Sequence, residues 1–306
     1  MTAFDSQRGS ALLIALVVAA LAAVIALTMI ERGQGNMART QALMDTERAY
    51  QYARGMEILA VDMIEQAISE GIDASLLDGA WTAPFDVPGG LIQGRVLDQN
   101  ARFNVNALAH PDSGQAARAL ARFEHLLNHL GLNPVIAVEL ADWVSGAAMP
   151  RQGSVGDAWY AGRQPPYRMA GVRLSHVSEL RWLRSVDMDT WNRLRPYVSA
   201  LPDYDLVINV NTTSPEVLAS LVNELDLDQA RRVLADGPFN DVRSFVGHPI
   251  IEAIAGPDVS LHVTVFSPWY LAQARVVLDG VERDYFRLMH IGGSGYDFRL
   301  FSQGVP

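Results

Sequence analysis

The chain has 306 residues, 49% of them hydrophobic, which suffices for an anchor and a packed body and excludes a disordered chain. Its formal net charge of −10 speaks against a nucleic-acid partner, because neutralising phosphates takes a basic face. It has no cysteine, which excludes disulfides, thiolate metal sites and a cysteine nucleophile, and all 24 of its basic residues are arginine.

The first element follows a tail that ends in Arg8-Gly9. From Ala11 to Ile30 there is no charge, proline or glycine, and these residues span about 30 Å as a helix, the thickness of a bilayer's hydrocarbon core. A secretory signal to be discarded has a shorter apolar core of about 7–15 residues. No proline interrupts Glu31 to Glu70 either, and apolar residues recur at Ala49, Tyr52, Met56, Leu59, Met63 and Ala67. Spacings of three and four make one helical stripe. The reading is a single helix from Ser10 to about Ser69, in the membrane to residue 30 and amphipathic over 31–70. Arg8 in the short tail predicts a cytoplasmic N-terminus and a body on the far side of the membrane.

Beyond the helix, Leu91–Asp98 alternates as a strand does, and Val259–Phe266, Tyr270–Leu278 and Arg283–His290 read as further strands, with a turn at Gly280. A short edge at Phe298–Phe301 would complete the sheet. The intervening block, 100–257, is helical by its punctuation. Ser113–Leu130 presents Ala116, Leu120, Phe123, Leu127 and Leu130 on one face and stops at Gly131. Val135–Val144 follows Pro134, Ser175 caps a helix to Arg184, Asp187 or Asp189 caps the next, and Ser214-Pro215-Glu216 opens a well-specified one. Met149–Gly171 is rich in proline and glycine and reads as loop. The fold class is therefore α+β: a long N-terminal helix on a small antiparallel sheet (71–99 and 258–306), with a large helical insertion between strands.

An internal echo marks the insertion. Arg102-Phe-Asn-Val-Asn-Ala107 precedes one set of helices and Val207-Ile-Asn-Val-Asn-Thr212 precedes another. Each asparagine pair should bond local backbone and set the turn into its helical module.

A short tail, a glycine, and an uncharged helix that runs on as an amphipathic rod resemble the type IV prepilin leader. The resemblance implies cleavage by prepilin peptidase between Gly9 and Ser10, release of the leader 1–9, and methylation of the new N-terminus. Members of that family carry a glutamate at the fifth mature position, where this chain has Ile14. A carboxylate inside the membrane costs about 3 kcal/mol unless partnered. Its absence suits a subunit with no neighbour above it.

Together with "RGSALL", the segments "RFNVNAL", "ADWV", "PPYRMAG", "VSELRWL", "LRPYVSALP" and "INVNTTSPEVLASL" resemble, in order, the K-type minor pseudopilins of type II secretion. That implies a single-pass protein of the bacterial inner membrane with a periplasmic body, later found at the tip of a periplasmic pseudopilus. Its implied partners are the I- and J-type minor pseudopilins, the other pseudopilins, prepilin peptidase and the inner-membrane assembly platform. A membrane-anchored periplasmic module that binds a ligand or DNA, and a minor pilin of a type IV pilus, are the alternatives.

The family also implies calcium in the helical insertion. Asp142, with Asp157 and Glu179, are the candidate ligands. However, Val144-Ser-Gly-Ala-Ala148 stands where the family is acidic, so the set is largely lost. The second module resembles DNA-gripping helix-hairpin-helix units, but its hairpin reads Leu225-Asp226-Leu227-Asp228, bulky and acidic where glycine would admit a phosphate. His125 and His129 share one helix turn, facing solvent, with no third ligand. No catalytic motif is evident, and an enzyme is not expected.

Overall fold

The computed structural model describes residues 6–70, 79–146, 149–222, 224–254, 256–291 and 303–304. It comprises two units, residues 1–54 and 55–306. The first helix, α1 (Ser6–Glu70), begins four residues before the expected start and is unbroken for 65 residues. The first unit contains the apolar stretch, in which Leu12, Leu13, Ile14, Leu16 and Ile25 are all exposed. Among the described residues this is the one helix long and apolar enough to cross a membrane.

In the second unit the last turns of α1 lie on a sheet. Strand β1 (Phe85–Val87) turns through Pro88-Gly89 into β2 (Gly90–Asp98). The chain then leaves the sheet for the insertion, whose elements follow in order. These begin with β3 (Phe103–Asn104), α2 (Ser113–His129), α3 (Val135–Ser145), α4 (Gly156–Ala161), α5 (Met188–Leu194) and β4 (Val198–Ser199). They continue with β5 (Ile208–Asn209), α6 (Pro215–Leu221), α7 (Leu227–Ala235), α8 (Val242–Val246), α9 (Pro249–Ile254) and β6 (Val263–Thr264). The sheet resumes with β7 (Trp269–Leu278), β8 (Val281–His290) and β9 (Gln303–Gly304), in the order β1-β2-β7-β8-β9 and antiparallel throughout. Strands β7 and β8 meet at Asp279-Gly280, both at positive φ, the backbone that a two-residue hairpin demands.

The predicted stripe is buried at Ala49 and Met56, but beyond Met56 the buried face moves on by one residue. Ala60 and Ile64 pack with Val96, Tyr270, Ala272 and Met289, and Met56 lies over Gly94. Leu59 is 46% exposed and Met63 half-buried, while the Ala67 side chain lies outside the described residues. Small residues at the contact let the helix backbone approach closely, so alanine takes a place that hydrophobicity alone assigns to leucine. Burying Ile64 completely contributes about 2 kcal/mol.

Several other expectations are corrected. Val259–Phe266 is not a sheet strand: Pro257–Leu261 is a 3₁₀ turn, and β6 pairs in parallel with β5 inside the insertion. Hydrophobic alternation cannot tell which sheet a strand joins. The 175–184 helix is a 3₁₀ segment, Val177–Trp182, capped by His176 rather than Ser175. Loop 149–171 contains the short helix α4, whose glycine start hid it. His125 and His129 are half-buried rather than solvent-facing. The Phe298–Phe301 edge lies outside the described residues.

Candidate functional site

The cleavage bond expected between Gly9 and Ser10 lies in the opening turns of α1. Glycine weakens a helix by about 1 kcal/mol, so this end can unwind more easily than the alanine- and leucine-rich turns after it. Ile14 is 62% exposed on the apolar stretch, and there it presents hydrocarbon to its surroundings.

The two modules of the insertion are built alike. In the first, Asn104 Oδ1 accepts from the Asn106 N–H (3.1 Å) and, across 97 residues, from the Leu201 N–H (3.0 Å). Asn106, fully buried, accepts from the Leu174 N–H (2.8 Å) and donates to the carbonyls of Leu174 and Leu201 (2.9 and 2.7 Å). In the second, Asn209 Oδ1 accepts from the Asn211 N–H (3.0 Å). Asn211 accepts from the Phe239 N–H (2.7 Å) and donates to the Phe239 carbonyl (2.9 Å). Each motif leads out of a two-residue strand that is closed by a parallel return strand, β3 with β4 and β5 with β6. The expected local turn bond is present in both modules. The asparagine amides also clasp chain that returns 28 to 97 residues later, which local sequence could not indicate. Both modules share one core, from Phe103 and Phe123 through Leu140 and Leu194 to Val217 and Phe245.

Asp98, at the end of β2, ties this insertion to the sheet. Its Oδ1 accepts from the N–H groups of Asn100 and Ala101, and its Oδ2 from Asn209, Thr212 and Ser267 at 2.6–2.9 Å. Burial pushes its carboxyl above the ordinary aspartate range, with the hydroxyl, backbone and amide donors pulling the other way. The sequence offered one signal for it, an Asp-x-Asn turn signature directly after an alternating strand.

The three acids considered for calcium are not gathered around one point. Asp142, fully buried on α3, accepts from the Arg151 backbone N–H (2.8 Å) and forms an ion pair with the Arg151 guanidinium. Asp157 accepts from the Met169 N–H (2.9 Å), and Glu179 accepts from the N–H groups of Ser175 (2.7 Å) and His176 (3.0 Å) as part of a capping box. Among the described residues no three His, Asp or Glu side chains converge as a metal site. The acidic hairpin of the second module is a helix cap as well. Leu225 is buried, and Asp226 caps α7 by accepting from the Gln229 N–H (2.7 Å), so a carboxylate already holds the helix N-terminus that would face a phosphate.

Comparison with known proteins places this architecture. Two models of the family described as Type II secretion system (T2SS), protein K match residues 101–203 and 208–264, one for each module. The chain is 33% identical to the type II secretion system protein K of Klebsiella pneumoniae over 277 residues, covering 84% of this chain and 85% of the relative. It is 33% identical to that of Pseudomonas aeruginosa over 248 residues, 74% and 72% of the two chains. Its fold is similar to a chain in the crystal structure of the GspK-GspI-GspJ complex from the enterotoxigenic Escherichia coli type 2 secretion system. The TM-score is 0.76 at 22% identity, over 88% of this chain and 99% of that one. With its pilin-like α+β fold, its paired modules and these relatives, the chain belongs to the type II secretion system protein K family.

Proposed function

We propose that this protein is stored in the inner membrane as a prepilin, is cut between Gly9 and Ser10, and caps the tip of the pseudopilus. The observation that carries the reading is the combination of an uncharged apolar stretch opening α1 and a bulky insertion, residues 99–268, between the second and third strands of the sheet order. The apolar helix anchors the body on the periplasmic side. The insertion occupies the place where a further subunit would stack, and Ile14 leaves no carboxylate for a terminal ammonium above it. Its own freed ammonium can still receive the glutamate of the subunit below. The relative in the solved complex, which is assembled with GspI and GspJ, supports I- and J-type minor pseudopilins as the partners. The role is structural rather than enzymatic, in support of export of folded proteins.

The test is N-terminal sequencing and mass measurement of the full chain with and without prepilin peptidase, followed by mixing with I- and J-type partners. The expected result is a methylated Ser10 start and a stable ternary complex. An uncut N-terminus in both samples would overturn the reading.

A further inference from the structure

We infer that this chain holds its 149–171 loop with an internal cation, the Arg151 guanidinium, and needs no divalent metal there. The family resemblance puts calcium in this part of the insertion, yet the donors present do not suit it. Calcium takes six to eight oxygens from carboxylates and carbonyls free to converge. Both oxygens of Asp142 are already taken, Oδ2 by the Arg151 backbone N–H and Oδ1 by its side chain. Asp157 Oδ1 holds the Met169 N–H across twelve residues, and Glu179 Oε1 holds the N–H groups of Ser175 and His176 in its own helix cap, so neither is turned toward Asp142. Residues 144–148, directly after the Asp-Trp pair, offer no carboxylate.

The arginine sits where a clamp is useful. The loop leaves α3 at Gly146 and returns at Gly171, whose N–H donates to the Trp143 carbonyl at 2.9 Å. The two glycines meet so closely that a Cβ on Gly146 would lie 2.9 Å from the Gly171 Cα. Both have positive φ, a conformation that glycine takes at no steric cost. Trp143, Tyr160 and Tyr167 pack together inside this closed loop, with centroids 5.2–6.2 Å apart. Arg151 then closes the entry by two bonds to one buried carboxylate, and it reaches Ser145 Oγ at 3.5 Å. A guanidinium is charged at every physiological pH and independent of ion supply.

The experiment uses the full chain in detergent micelles, unfolded by heat and nicked by protease in either millimolar calcium chloride or EGTA. The expected result is the same midpoint and the same slow cleavage of the loop in both buffers. Arg151→Met should lower the midpoint by about 5 °C or more and speed cleavage between residues 149 and 171, with no rescue by calcium. The pair Asp142→Asn with Arg151→Met, which removes both charges, should recover part of the loss. A calcium-dependent rise in the wild-type midpoint, or saturable calcium binding by titration calorimetry, overturns the proposal without any variant. An unchanged midpoint and cleavage rate in Arg151→Met overturns the clamp.

Discussion

Arg287 of β8 reaches Glu57 of α1 with two nitrogens on one oxygen: Nε donates to Oε1 at 2.7 Å and Nη2 lies 2.5 Å from it. The Arg287 side chain is 8% exposed and that of Glu57 23%. A buried pair of this kind adds little net stability over a well-packed apolar pair, but removing one partner strands the other charge. It therefore fixes where the helix lies along the sheet more than how strongly it adheres. Glu57→Ala should cost about 3–5 kcal/mol. Glu57→Gln with Arg287→Met should cost clearly less than the single change, as read by urea midpoints of the full chain.

The Asp98 hub sets a pH response. Burial raises its folded-state carboxyl above the ordinary 3.8, so the native chain holds that proton more tightly than the unfolded chain does. The stability it contributes is complete below 3.8 and is lost as pH rises through the raised value. Asp203, also raised mainly by burial, acts in the same direction. Asp98→Asn should flatten part of this slope in unfolding midpoints measured from mildly acidic to neutral pH. It also puts an amide among three donors on Oδ2, at a cost of about 1–3 kcal/mol. An unaltered slope would show that Asp98 does not titrate in this window.

Two glycines of β2 separate rigid from yielding contacts. A Cβ at Gly90 would lie 1.8 Å from the Val277 carbonyl oxygen, which the β2–β7 ladder holds in place. A Cβ at Gly94 would lie 2.2 Å from Met56 Cε, the free end of a flexible side chain. Gly90→Ala should therefore cost about 3 kcal/mol or more, and Gly94→Ala about 1 kcal/mol. Combining Gly94→Ala with Met56→Leu should reduce the Gly94→Ala penalty in thermal unfolding.

The long helix, the strands β2, β7 and β8, and the caps Asp187 and Ser214 were legible because local rules specify them: an uncharged run, a period of two, an acid or hydroxyl before a helix. The asparagine motifs were legible only in part. Their turn bonds span two residues, but their clasps on Leu174, Leu201 and Phe239 depend on chain brought together by the fold. Arg151 was missed for the same reason, since nine residues of irregular loop give no period that pairs it with Asp142. The placement of β6 failed because two residues of strand carry no address.

The matching clasps predict matching losses. Asn106→Ala leaves the Leu174 N–H and the Leu174 and Leu201 carbonyls without their side-chain partner, and Asn211→Ala does the same at Phe239. Asn106 is fully buried, whereas Asn211 is only partly so, and water can reach the second site. Asn106→Ala should thus cost about 3 kcal/mol and Asn211→Ala about 1–2 kcal/mol. Hydrogen exchange should show faster opening of β4 in the first variant and of α8 in the second. Equal, unlocalised acceleration in both variants would mean that the modules open as one body.

Ile14 offers the sharpest test of placement. If the chain sits at the tip, nothing above it presents an ammonium to a carboxylate at this position, so a glutamate there would face lipid alone. The cost of about 3 kcal/mol applies while the subunit waits in the membrane. It disappears only where another subunit's N-terminus can pair with the new charge. Ile14→Glu should leave cleavage at Gly9–Ser10 intact, because residue 14 lies five positions past the bond. It should also move the subunit from the tip into the fibre, or slow its entry. Gly9→Leu should block cleavage and leave the sequence after Ser10 unchanged. The readouts are mass of the N-terminal peptide and immunogold position along isolated pseudopili. Tip-only labelling of Ile14→Glu at the wild-type level would show that the large insertion, and not the missing carboxylate, fixes the position.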